Sequence, residues 1–206
     1  MNNKIYAQRR KQLMKMMGEN SIAILPAAPL LIRNRDVEHG FRQDSDFYYL
    51  TGFDEPDAVA IFLPKQRGGK FILLLRERDP KEEQWHGPMV GLSGACKDYG
   101  ADQGFELAQL DEIVMEWMRS AEKVYHPMGD KAQDARMMRW VETLSQAGGC
   151  RQHEMLDIQP IVHEMRLFKD GYECDAMRMA AAITVKAHEA AMQVCRSGAY
   201  EYLLEA

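Results

Sequence analysis

Three short apolar runs constrain this chain more than anything else in it: SIAILP at residues 21–26, AVAIFLP at 58–64 and FILLLR at 71–76. In each run successive residues are apolar, not every second one. Side chains on a strand point alternately to its two faces, so such a strand must be covered on both. That requires helices above and below a sheet. The second and third runs are joined by KQRGGK, with Gly68-Gly69 at its centre, and read as a hairpin.

The rest of the chain supplies those helices. Residues 3–17 carry Ile5, Leu13, Met16 and Met17 on one side and stop at Gly18. Residues 110–121 repeat Ile113, Val114, Trp117 and Met118 at spacings of three and four. A third helix is expected over 130–146, ending at Gly148-Gly149. Further strands are expected at 123–127 and 152–158. Residues 30–43 read as an irregular polar loop, 47–50 as extended, 51–56 as a turn, and 79–87 as a surface loop with an isolated Trp85. Residues 91–107 mix glycine with acids and suggest one helical turn at 94–99. The expected class is α/β, a mixed β-sheet with helices on both faces. A joint follows the domain of residues 1–160: a linker over 161–171 with a short helical turn at 161–168, a turn at Lys169-Asp170-Gly171, then an amphipathic helix over 172–195. Its stripe of Met177, Ala181, Thr184, Ala187, Ala191 and Val194 needs cover and otherwise invites self-association.

Several functions are disfavoured. The formal charge is −5 and no basic run exceeds two or three residues, so nucleic acid is not an expected partner. No apolar run reaches membrane-spanning length, and the basic amino terminus lacks the apolar core of a secretory signal. Cysteines 96, 150, 174 and 195 form no CxxC pair and read as reduced, mostly structural thiols of a cytoplasmic protein. The methionines, among them Met14, Met16, Met17, Met137, Met138, Met177 and Met179, read as core or interface filler. The six histidines include no HExxH and no pair three or four apart; His163-Glu164 and His188-Glu189 are adjacent and diverge by about 100° on a helix. Neither a GxSxG elbow nor a GxxxxGK(S/T) phosphate loop is present. What remains is a crowd of Arg33, Arg35, Asp36, Glu38, His39 and Arg42 in one loop, Trp85 in another, and Arg151 before the last strand. They suit either a solvated surface or the border of another domain or subunit.

Two longer motifs narrow the choice. FRQDSDFYYLTGF at 41–53, followed by DEPDA, and PIVHEMRLFK at 160–169, followed by Glu173 and the helix at 177–187, resemble bacterial Xaa-Pro aminopeptidases (aminopeptidase P). EEQWHG around Trp85 fits the same family, and the resemblance runs through the whole chain. It implies a creatinase/aminopeptidase P amino-terminal domain over 1–160, the linker, and in 172–206 the first helix of a pita-bread catalytic domain. That second domain would hold two divalent ions, usually manganese, on two aspartates, a histidine and two glutamates. The bridging hydroxide would attack the bond before a proline in second position. On this resemblance all five ligands would follow Ala206, so the chain is expected to be a fragment with no peptidase activity alone. It would contribute substrate enclosure and assembly of a homo-oligomer. Carried over by motif, Trp85 would cap the substrate pocket, Asp36 would stand at its rim, and Arg151 would hold the capping network. A prolidase-type dipeptidase shares the two-domain plan, and a non-catalytic peptidase-like binding module is the alternative outside enzymes.

Overall fold

The computed structural model describes residues 3–64, 69–146 and 153–205, so residues 65–68 of the expected hairpin turn, Gly148-Gly149, Cys150 and Arg151 lie outside the described residues. The first unit, Met1–His163, is built from α1 (Asn3–Met17), β1 (Ser21–Pro26), a small ribbon of β2 (Ile32–Asn34) and β3 (Val37–Glu38), α2 (Ser45–Thr51), β4 (Val59–Leu63), β5 (Lys70–Leu75), α3 (Pro80–His86), α4 (Gly91–Tyr99), β6 (Gln103–Glu106), α5 (Leu110–Met118), β7 (Lys123–His126), α6 (Lys131–Gln146) and β8 (Glu154–Asp157). Helix α7 (Gln159–Leu167) begins in this unit. The main sheet runs β6-β5-β4-β1-β7-β8. β4 pairs antiparallel with both β1 and β5, while β1–β7, β7–β8 and β5–β6 are parallel. Five strands therefore point one way and β4 alone is reversed. The mixed sheet with helices on both faces is as expected.

The alternation of side chains sorts the core. Ile22, Ile24, Val59, Ile61, Leu63, Ile72, Leu74 and Val124 face α5 and α6 and pack on Ile113, Val114, Met118, Met137, Trp140 and Leu144. Each such side chain, fully buried, contributes roughly 1.5–3 kcal/mol. On the opposite face Phe62 and Phe71, register partners on β4 and β5, stack with ring centroids 5.4 Å apart. The hydroxyl of Tyr125 donates to Met17 O at 3.4 Å, tying this face of β7 to the end of α1.

Helix α1 buries two arginines, Arg9 and Arg10. Arg9 Nη1 donates to Tyr49 O (3.2 Å) and its guanidinium lies 4.0 Å above the Tyr49 ring. Arg10 Nη1 donates to Leu50 O (3.2 Å) and Nη2 to Tyr99 O (3.5 Å), with the guanidinium 4.3 Å above Phe71. Carbonyls at a helix end lack intrahelical donors, and cations suit them. One side chain of α1 thus closes the carboxyl ends of both α2 and α4. Burial pulls the Arg10 pKa down to about 10, opposed by the nearby charge of Asp102, and the group stays charged at neutral pH.

The structure corrects several sequence expectations. Residues 47–50, expected extended, lie in α2: Asp44 caps it by accepting from the N–H groups of Asp46 and Phe47. Gly52 ends it in the left-handed region (φ 68°), its N–H donating to Tyr48 O at 2.8 Å. The 79–87 loop contains α3, started by Asp79 with Pro80 in its first turn. The single turn at 94–99 is the longer α4, and β6 follows it with no apolar alternation to announce it. The 30–43 loop holds the β2–β3 ribbon, and the turn at 161–168 is part of α7. Cys96 and Cys195 are exposed, so the structural reading does not hold for those two, whereas Cys174 is half-buried with its thiol 4.0 Å from Lys169 O. Met14, Met17 and Met137 are core, whereas Met16, Met138, Met177 and Met179 are exposed.

An added methyl at Gly52 would meet Tyr6 Cε2 at 2.6 Å. Gly52→Ala is expected to cost about 2–4 kcal/mol, left-handed strain plus displacement of a packed ring. Urea denaturation measures it; a loss under about 1 kcal/mol would show that the Tyr6 ring gives way freely.

The second unit, Glu164–Ala206, contains α8 (Gly171–Val194) and α9 (Tyr202–Glu205). Asp170, expected in a turn, is the N-cap of α8 in a reciprocal capping box: Asp170 Oδ1 accepts from Glu173 N–H (2.9 Å) and Glu173 Oε2 from Asp170 N–H (3.0 Å). None of the described residues of α8 is buried. No helix among the described residues is long and apolar enough to cross a membrane.

Candidate functional site

Because five strands share one direction, their carboxyl ends lie along one edge of the sheet. In α/β sheets the crevice outside those ends is where ligands bind. The segment carrying the β2–β3 ribbon leaves the end of β1, and the segment carrying α3 leaves the end of β5. Asp36 sits at the ribbon's tip beside Arg35, which has φ 54°, and is exposed. Trp85 sits in α3 with 83 % of its surface exposed. The topology therefore brings Asp36 and Trp85 to the same edge, although no hydrogen bond, ion pair or ring contact joins them among the described residues. Arg151 lies outside the described residues.

The bases of both segments are tied to one turn, through residues that sequence reasoning missed. Gln43 is buried, and its amide makes four bonds: Oε1 accepts from the N–H groups of Ala28 (2.8 Å) and Asp44 (2.9 Å), and Nε2 donates to Phe53 O (3.3 Å) and Glu55 O (2.9 Å). Glu55 Oε1 in turn accepts from Val90 N–H at 2.7 Å. Ala28 leads into the ribbon and Val90 closes the α3 segment, so the turn at 53–55 anchors both. Glu83 fastens α3 itself. It accepts from Arg78 Nε (2.7 Å) and Nη2 (3.0 Å) in a bidentate pair, and from Met89 N–H at 3.0 Å. The bond from Arg78, then that from Met89, holds the Glu83 carboxyl below its ordinary range, and Arg78 is raised in return. The exposed indole thus stands on a fastened support. The signal for these residues was present: Gln43 and Asp44 lie within FRQDSDF, and Glu83 two residues before Trp85.

At the same edge His163 Nε2 lies 3.0 Å from Asp46 Oδ2, joining α7 to the first turn of α2. Among the described residues no group of three or more His, Cys, Asp or Glu side chains is placed to hold a metal ion. The described residues do not fit the two-metal set that the motif resemblance implies.

The family described as aminopeptidase P, N-terminal domain, matches residues 6–125, more than half of the chain. The chain belongs to that family. Its aminopeptidase P relatives include the Xaa-Pro aminopeptidase of Escherichia coli K12, 36 % identical over 207 residues covering 97 % of this chain and 46 % of the relative. That of Haemophilus influenzae is 32 % identical, with 97 % and 45 % covered. The fold superimposes on the structure of Pseudomonas aeruginosa aminopeptidase PepP with a TM-score of 0.93 at 44 % identity, over 100 % of this chain and 47 % of that one. It also superimposes on E. coli aminopeptidase P with the inhibitor Pro-Leu, with a TM-score of 0.92 at 34 % identity, over 100 % and 48 %. The chain spans about half the length of the curated relatives just named, 46 % and 45 %.

Proposed function

We propose that this chain is the amino-terminal part of a metal-dependent Xaa-Pro aminopeptidase, which removes the first residue from peptides with proline in second position. What supports the reading is similarity along 97 % of the chain to an E. coli Xaa-Pro aminopeptidase. It is also supported by the segments that carry Asp36 and Trp85, which leave the carboxyl ends of β1 and β5, the edge at which α/β sheets commonly bind ligands. The bond cleaved precedes proline and is a tertiary amide without N–H. The chain's own task is to enclose the substrate. The Trp85 indole offers a flat apolar surface that suits a proline ring, and an edge carboxylate such as Asp36 suits a substrate's free ammonium. Arg151 supports this capping network in the same proposal. Two divalent ions, manganese in the first instance, would supply the hydrolytic chemistry; their ligands belong to a pita-bread domain that 172–206 begins and that the described residues do not furnish. The proposal includes a cytoplasmic homo-oligomer in which the edge segments of one subunit close the site of a neighbour.

The test is hydrolysis of an Xaa-Pro peptide and its Xaa-Ala counterpart with added manganese. The full-length protein is expected to release the first residue from the proline peptide only, and residues 1–206 alone to release none. Equal cleavage of both peptides would remove the assigned specificity, and turnover by residues 1–206 would remove the division of labour.

A further inference from the structure

A cavity of about 340 Å³ opens at the other edge of the sheet, where β1 and β5 begin and β4 ends. Leu63, Ala121 and the ring of Trp117 form its apolar wall, and Ser21, Ser120 and Lys70 its polar one. Lys70 is half-buried. Its ammonium lies 5.0 Å from the centroid of the Trp117 ring and 3.4 Å from Gln103 Oε1. Both partners are neutral, and Lys70 forms no ion pair among the described residues. A cation partly withdrawn from water, with no carboxylate at ion-pair distance among the described residues, favours an anion brought to it. The indole and aliphatic wall beside it favours a flat apolar body on that anion. The volume falls in the range of small-molecule sites.

We infer that this cavity binds a small organic carboxylate bearing an apolar ring, the carboxylate on Lys70 and the ring along Leu63, Trp117 and Ala121. The site is separate from the edge that carries Trp85 and Asp36. The six-residue β5 lies between them, about 20 Å of strand. Occupation there does not depend on the peptidase reading, and loss of either leaves the other standing.

Trp117 lines the cavity while Trp85 and Trp140 do not, so these three indoles report inside and outside the site. The full-length protein is labelled with 5-fluorotryptophan, and the ¹⁹F resonances of Trp85, Trp117 and Trp140 are picked out by replacing each of the three in turn with phenylalanine. Benzoate is titrated against its uncharged isostere benzamide. The Trp117 resonance is expected to shift saturably with benzoate and not with benzamide, while Trp85 and Trp140 stay in place. Lys70→Met is expected to weaken benzoate binding by about tenfold or more, and Lys70→Arg to retain it. A Trp117 response to benzamide equal to that to benzoate would overturn the proposal. So would a benzoate shift confined to Trp85, no shift at all, or undiminished binding by Lys70→Met. The wild-type comparison of the two ligands decides the matter even if a variant folds poorly.

Discussion

Replacing Gln43 with leucine is expected to destabilise the protein by about 3–5 kcal/mol and to lower its melting temperature by roughly 10 °C. Leucine keeps most of the shape and removes all four bonds of the amide. Two backbone N–H groups, of Ala28 and Asp44, lose their acceptor, and the carbonyls of Phe53 and Glu55 lose their donor. A buried polar group without a partner costs about 1–3 kcal/mol, and the four are coupled, so the sum falls short of four times that. Gln43→Glu separates the two halves of the effect, because a carboxylate still accepts from Ala28 and Asp44 but donates nothing to Phe53 and Glu55. Thermal unfolding of both variants measures the difference. A shift of less than about 2 °C for leucine would mean that water enters and replaces the amide.

Trp85→Ala should behave in the opposite way, leaving stability alone and damaging turnover. The indole is 83 % exposed, and alanine is at least as good a helix former in α3. Unfolding free energy is therefore expected to stay within about 0.5 kcal/mol of the parent. If the indole closes over substrate as proposed, its loss removes about 2 kcal/mol of contact, roughly thirtyfold in kcat/KM of the full-length enzyme. Metal content should be unchanged. Unaltered kinetics on an Xaa-Pro peptide would take Trp85 out of the site. A large fall in melting temperature would make it a structural residue, against its exposure.

What could be read from the residues, and what could not, follows from how each element is stabilised. β1, β4 and β5 were legible because their apolar runs are the core itself. β6 was not: Gln103–Glu106 contains a glycine, a glutamine and a glutamate, and it is a strand because its backbone pairs with β5. Helix α2 looked extended because Phe47-Tyr48-Tyr49-Leu50 is aromatic and successive, which suits strands. Asp44 at one end and Gly52 at the other overrode that preference through capping. Helix α3 is too short to show periodicity, and only the Asp79-Pro80 start and Gly87 stop announce it. Similar limits apply at the candidate edge. Trp85 and Asp36 stood out by type, but the residues that anchor their segments, Gln43, Glu55 and Glu83, are ordinary polar letters. Their importance depends on partners as far as 35 residues away.

Arg10 has a consequence for the order of events during synthesis. It leaves the ribosome within the first helix, yet its acceptors are the carbonyls of Leu50 and Tyr99, forty and eighty-nine residues later. Until the second is made, seating α1 would bury a guanidinium with part of its hydrogen bonding unmet, which costs free energy. The nascent chain therefore has reason to hold its first helix in water until about half of this sequence has emerged. Docking of that helix then reports that α2 and α4 are both in place.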